Sequence, residues 1–142
     1  MLNDYYYDER NKLLVMEHVG DFVGAEFQIL LPEILEKVQG QLNNIIADMS
    51  KVTSATIIDT DLALADLTLR KISALGVDPG SIQICVIIPQ DSPQNVIRRY
   101  ELLSDRTSYK KFSRSVSWER AFVELDLEHF FSYPFSIKTQ SE

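Results

Sequence analysis

Aromatic and branched residues crowd Tyr5 to Tyr7 and again Lys12 to Val19, with the polar run Asp8-Glu9-Arg10-Asn11 between them. This alternation predicts an antiparallel hairpin with a polar turn. Gly20-Asp21 reads as the end of the second strand, with Asp21 capping the helix beyond it. Apolar residues then recur at Phe27, Leu30, Leu31, Ile34, Leu35, Val38 and Leu42, the spacing of an amphipathic helix. Pro32 falls inside that run, removing a backbone donor, and predicts either a kink or two helical pieces with Pro32 in the first turn of the second. Asn44 to Met49 is a brief apolar strand followed by a polar loop. Leu62, Ala65, Leu69 and Ile72 line one stripe of a helix that stops at Gly76.

Ser81 to Pro89 is a nearly continuous run of Ile, Val and Cys, the pattern of a strand buried on both faces, and is the expected centre of the sheet with Cys85 inside. Ser92-Pro93 opens a third helix through Val96, Tyr100 and Leu103. Lys111 to Arg114 makes a short strand, and Trp118, Ala121, Phe122 and Leu125 repeat at helical spacing after Ser115 or Ser117. Strands that alternate with helices favour parallel neighbours. The predicted fold is therefore α/β, a mixed and mostly parallel sheet of about five strands with an N-terminal antiparallel hairpin and about four helices. Residues 1–127 form this domain, and no internal repeat or linker precedes a C-terminal aromatic tail, 128–142.

Composition narrows the choice of partner. The 142 residues suffice for one domain with a core of its own, and 45% hydrophobic against 25% charged residues is an ordinary globular balance. A net charge of -7 argues against nucleic acid and against acidic membrane surfaces. The acids and tyrosines of MLNDYYYDERNK do not make a signal peptide, and no apolar stretch is long enough to span a bilayer. With the single cysteine, Cys85, no intramolecular disulfide forms, so a reducing, cytoplasmic setting is the expectation.

The sequence carries no catalytic motif. The two histidines, His18 in a strand and His129 in the tail, have no nucleophile motif beside them. No glycine-rich phosphate loop occurs, so no cofactor is expected. Asp59, Asp61 and Asp66 cluster, but the first two stand where a helix begins and complement its dipole; no metal site is expected. Arg98, Arg99, Lys110 and Lys111 could gather into a small basic patch, or lie on solvated faces.

One stretch carries a resemblance. Asp48-Met49-Ser50-Lys51-Val52, a loop, then Ile58-Asp59-Thr60 opening a helix is similar to the signature of STAS domains, the anti-sigma-factor-antagonist fold. IQICVIIP, SPQNVIRRY and KKFSRSVSWERAFVEL follow in the same order as that superfamily's later elements, so the resemblance covers roughly residues 5 to 127. The stretch between Asp48 and Asp59 is longer than in true antagonists, and Leu62 stands near a position where those often carry glycine. The amino-terminal segment and the ending look like the sporulation-antagonist-like branch, bacterial proteins grouped with STAS and the CRAL-TRIO lipid-transfer fold.

The resemblance implies a non-enzymatic regulatory module that binds a protein partner. It makes Asp48, Asp59 and Asp61 a switch turn and Thr60 the residue corresponding to a phosphorylated hydroxyl, with Ser50 a second candidate; a helix cap is the plainer role for Thr60. The alternative function is a carrier or sensor of an apolar small molecule, held between sheet and helices through Phe22, Phe27, Leu30 and Leu64. The tail carries five large apolar residues, Phe130, Phe131, Tyr133, Phe135 and Ile137, whose exposure would be costly. Pro134 keeps it extended, across its own domain or a second copy. Phe130, Phe131, Tyr133 and Phe135 are the predicted homodimer contact.

Overall fold

Two parallel strands of unequal length set the architecture. In the computed structural model, which describes residues 1–38, 41–56, 59–104 and 108–135 and, within these, not the side chains of 59–65, β2 (Leu13–Val23) pairs with β3 (Asn44–Thr56) from Leu13↔Asn44 to Val23↔Thr56. Eleven residues on β2 therefore face thirteen on β3. The surplus is taken up at two register shifts, opposite Glu17–Val19 and Gly20–Asp21. Each is a bulge that re-aims the side chains beyond it, so the buried residues in the second half of β3 are Met49, Val52 and Ala55, at every third position.

This corrects the polar loop expected after Met49: residues 50–56 are strand. It also corrects Gly20-Asp21 as a strand end. Gly20 adopts φ +63, the left-handed region open to glycine, and β2 runs on through it to Val23. Asp21 caps nothing; its carboxylate accepts the hydroxyl of Ser54 across the strand pair, and the following helix α1 (Gly24–Lys37) starts after Val23 with no side-chain cap.

The remaining strands complete a sheet in the order β1-β2-β3-β4-β5. β1 (Leu2–Asp8) is antiparallel to β2, whereas β4 (Gln83–Ile87) and β5 (Lys111–Ser115) continue the parallel run. The middle strand is β3 and not β4, contrary to the sequence expectation. β4 is nonetheless flanked on both sides, and Cys85 is fully buried.

Pro32 sits inside a single helix rather than dividing two. Lacking an N–H, it leaves the carbonyl of Gln28 without its helical donor. The hydroxyl of Thr68, on α2 (Asp59–Ala74), donates to that carbonyl at 3.2 Å. The proline is thus a docking point between the two helices. Leu42, expected on the helix, is a core residue beyond its end. Helix α2 stops at Gly76 (φ +86), whose N–H reaches Ser73 O at 3.0 Å while Val77 N–H reaches Ile72 O at 3.3 Å, the paired bonds of a left-handed helix stop.

Parallel strands added in one direction, joined by right-handed crossovers, carry their helices to one face. Accordingly α1, α2 and α3 (Gln94–Ser104) pack over Leu14, Met16, Ile45, Ile84 and Val86. The opposite face, Leu13, Val15, Ile46, Cys85 and Ile87, is covered by α4 (Trp118–Glu124) and by the tail. Ser117 caps α4 through the Arg120 N–H at 3.2 Å.

The tail runs extended over its own sheet. Asn11 fixes its start, donating to His129 O at 2.7 Å and accepting the His129 N–H at 3.3 Å. The Trp118 indole N–H donates to Phe131 O at 2.9 Å, and its ring meets those of Phe122, Phe131 and Tyr133 edge-on. Of the residues expected at a homodimer contact, Phe131, Tyr133 and Phe135 pack into this second core, and Phe130 is 55% exposed.

Trp118 is the only tryptophan and reports on this layer. Truncation after Leu127 removes Phe131, Tyr133 and Phe135 from the second core; we expect a loss of at least about 3 kcal/mol in urea unfolding and a red-shifted tryptophan emission. Unchanged stability and emission would refute the docking of the tail.

Candidate functional site

The helix-covered face is not fully filled. Between the carboxyl-terminal half of the sheet and α1, α2 and α3 lies a pocket of about 320 Å³. That is the lower end of the range for small-molecule sites, and the carboxyl ends of parallel strands are where open α/β sheets bind ligands. Its floor comes from alternate inward positions of four strands: Met16 and His18, Ala47 and Met49, Val86, and Phe112. Its walls are Phe27 of α1, Leu69 of α2, and Val96, Arg99 and Tyr100 of α3. Ala47 is the small residue in the floor, and the space above it is part of what the larger neighbours leave.

Polar groups interrupt this mainly apolar lining. His18 is 1% exposed, with the rings of Phe22 and Phe27 edge-on at 4.9 Å and 5.5 Å. Among the described residues, neither ring nitrogen has a hydrogen-bond partner. Burial, and after it the amino-terminal charge, depress its pKa to about 3, so it is neutral at physiological pH. Arg99 donates to Thr56 O at 2.9 Å and its guanidinium lies over the Phe22 ring at 5.0 Å. Tyr109, also lining the pocket, is pushed up to about 12 by burial and stays protonated. Asp66 is exposed at the rim.

The residues expected from sequence fall into three groups. Phe22 and Phe27 do line the pocket; Leu30 instead borders a narrow crevice with Met1 and Leu2, because α1 turns it toward β1. The side chains of Leu64, Asp59, Thr60 and Asp61 lie outside the described residues, although α2 begins at Asp59 and so carries Thr60 in its first turn. Asp48 and Ser50 stand on β3, separated from Asp59 by further strand rather than by a compact turn. Nor does the basic patch form: Arg99 is buried in the pocket wall, while Lys111 turns to Glu124, 3.1 Å to its carboxylate.

Asp48 has another position altogether. It is cross-strand neighbour to Glu17 on the tail-covered face, and both are buried. The Tyr133 hydroxyl lies 2.5 Å from Glu17 Oε2 and 2.5 Å from Asp48 Oδ2. Ser50, itself exposed, gives its backbone N–H to Asp48 Oδ1 at 2.9 Å. Glu17 also accepts from Lys51 Nζ at 2.7 Å and Asn3 Nδ2 at 2.6 Å. Burial pushes its carboxyl up, but the hydrogen bonds from Lys51, Tyr133 and Asn3 outweigh burial and hold it below the usual range. Tyr133 is driven far up, by burial and by its two carboxylate acceptors, and so remains a donor. This cluster fastens the tail to the sheet.

Sequence reasoning missed His18, Arg99 and Tyr109 as pocket residues. His18 was legible in part, since Leu14, Met16 and His18 alternate toward one face; Arg99 and Tyr109 come from separate elements and converge only through the fold. Among the described residues no group of three His, Cys, Asp or Glu could hold a metal ion, and no helix is long and apolar enough to cross a membrane.

No protein-family model matches the sequence, and no curated protein matches it. Among solved structures, the chain is similar to the anti-sigma factor antagonist SpoIIAA in its unphosphorylated form, with a TM-score of 0.49 and 13% identity, over 89% of this chain and 98% of that one.

His18 makes stability depend on acid. Its pKa is 6.5 when unperturbed and about 3 in the folded chain, so between these values the unfolded state binds more protons and stability falls as pH falls. Going from about pH 7.5 to about pH 5 should cost roughly 2 kcal/mol through this residue. Urea unfolding of the parent and of His18→Leu at both pH values isolates the effect; equal acid losses in the two proteins would contradict it.

Proposed function

We propose that the chain is a non-enzymatic binding module whose pocket between sheet and helices takes an apolar small molecule. The observation that carries this reading is the pocket itself: about 320 Å³, on the helix face, with a mainly apolar lining that His18, Arg99 and Tyr109 interrupt. A core of this size normally closes on itself, since unfilled space forfeits dispersion contacts and hydrophobic stabilisation. The route from sequence to this space runs through Ala47, a small residue at an inward position of the floor beside Met16, Met49 and Val86. The geometry favours a ligand over a reaction, for the lining has no nucleophile beside a base among the described residues.

Nile red, an apolar fluorescent probe, should bind saturably with a blue-shifted emission. Ala47→Phe fills the floor and should abolish that signal while cooperative unfolding is retained. Equal Nile red binding in the two proteins would place the probe elsewhere and count against the pocket.

A second reading keeps the protein-binding role that the STAS resemblance implies, with Thr60 as phosphoacceptor for a partner kinase. What supports it is that α2 begins at Asp59, so Thr60 stands in a first helical turn, where phosphate would meet the helix's free N–H groups. If Thr60 is only a cap, Thr60→Ala should cost about 0.5 to 2 kcal/mol and leave partner capture unchanged. Unaltered stability with altered capture would favour the switch.

A further inference from the structure

We propose that the pocket's ligand is a short, neutral, chain-like molecule bearing one hydroxyl or carbonyl group, and that His18 is the residue that recognises this group. The inference rests on the pocket reading above and specifies the class of ligand.

A neutral imidazole offers one N–H donor and one nitrogen acceptor. At His18 both are buried, and neither is met by another group among the described residues. Buried polar groups are satisfied in nearly all folded proteins, so each exception asks for a partner. The neighbours on either side, Phe22 and Phe27, present ring edges and faces, which hold the imidazole in place without bonding it. The side chain faces the pocket because His18 continues the inward alternation of Leu14 and Met16 along β2, at the position opposite the register shift on β3. The unmet groups thus belong to a residue in the wall of the unfilled space.

Charge then selects among ligands. His18 is held neutral by burial, so no cation forms there to balance a carboxylate, and an anion beside it among Met16, Ala47, Val86 and Phe112 would be desolvated with no charge from His18 to offset the cost. Arg99, the cation in the wall, is engaged with the Thr56 carbonyl and with the face of Phe22. A hydroxyl can donate to the imidazole nitrogen or accept from its N–H, whichever tautomer is present, and a carbonyl can accept. Size limits the apolar part: about 320 Å³ holds one short chain and not a two-chain lipid.

The test compares octanol, octane and octanoate as competitors of Nile red, at neutral pH, on the full chain and on two variants. His18→Leu removes both polar atoms, and His18→Gln keeps a donor and an acceptor at that position. We expect His18→Leu to weaken octanol by about tenfold while octane is unchanged or tighter, with octanol restored in large part in His18→Gln. We also expect octanoate to bind no better than octanol. If octanol and octane compete equally well in the parent and in His18→Leu, the pocket reading stands and the role of His18 falls. If octanoate is the tightest competitor, recognition runs through Arg99 and the proposal of a neutral ligand is overturned. If none of the three competes with any folded variant, the pocket reading itself fails.

Discussion

The pairing of β2 with β3 is the constraint on which the rest of the molecule depends. Parallel strands have evenly spaced bonds, and a surplus of residues on one strand must be absorbed locally. Here two surplus residues on β3 are absorbed at two shifts within a few positions, and β2 and β3 consequently run on together beyond the last pair that β3 shares with β4, Asp48↔Ile87. The extension carries Phe22, Val52 and Ala55 into the core on the helix side, where Arg99 of α3 reaches the Thr56 carbonyl. It also fixes Val52 and Ala55 as the inward positions of β3 beyond Met49. Had the strands been of equal length, the inward positions of β3 beyond Met49 would alternate regularly, and Val52 and Ala55 would not both be buried.

From that spine the two faces of the sheet acquire different tasks. Sequential strands send all three crossover helices to one side, and three helices over a sheet of this width leave the space that the pocket occupies. The other side has no crossover to cover it, so one short helix and an extended aromatic segment do so. An extended segment makes few bonds within itself, and its backbone groups must be met by the domain. Asn11, Trp118, Glu17 and Asp48 supply these contacts to the backbone of His129 and Phe131 and to the hydroxyl of Tyr133. Glu17 and Asp48 would repel each other as neighbours; the phenol between them and Lys51 beside Glu17 relieve that.

Much of this architecture is written in local pattern. The hairpin, the buried strand around Cys85, the glycine stop of α2 and the Ser117 cap of α4 follow from spacing and from residue chemistry within a few positions, and each occurs where the pattern puts it. The errors share a cause. Residues 50–56 read as a loop because two bulges convert alternation into a repeat of three, which no strand template recognises. Gly20 read as a stop because a left-handed glycine ends strands more often than it bends them. Pro32 read as either a kink or a division into two helices, and the donor that lets one helix run through it, Thr68, is distant in sequence. The pocket was legible through Phe22 and Phe27 alone. Arg99 looked like a surface cation, since its neighbour Arg98 is one; only the rotation of α3 over the sheet separates them.

His18 shows where local rules and the fold disagree. On an inward position of a strand, between Met16 and the bulge, a leucine or methionine would satisfy every local preference and bury no polar atom. An imidazole there forfeits hydrogen bonds that water supplied in the unfolded chain, at a cost of about 1 to 3 kcal/mol for each unmet group. In a domain whose whole stability is on the order of 5 to 15 kcal/mol, that is a substantial share. Among the described residues the usual compensations are absent: neither ring nitrogen meets another protein group, and the nearest rings are those of phenylalanine. Violations of local consistency in folded proteins concentrate at functional positions, where stability is given up for a group the function requires. The violation here stands in the wall of the pocket on the helix side, and under the proposed reading a ligand that meets the donor and acceptor would recover the cost of keeping them there.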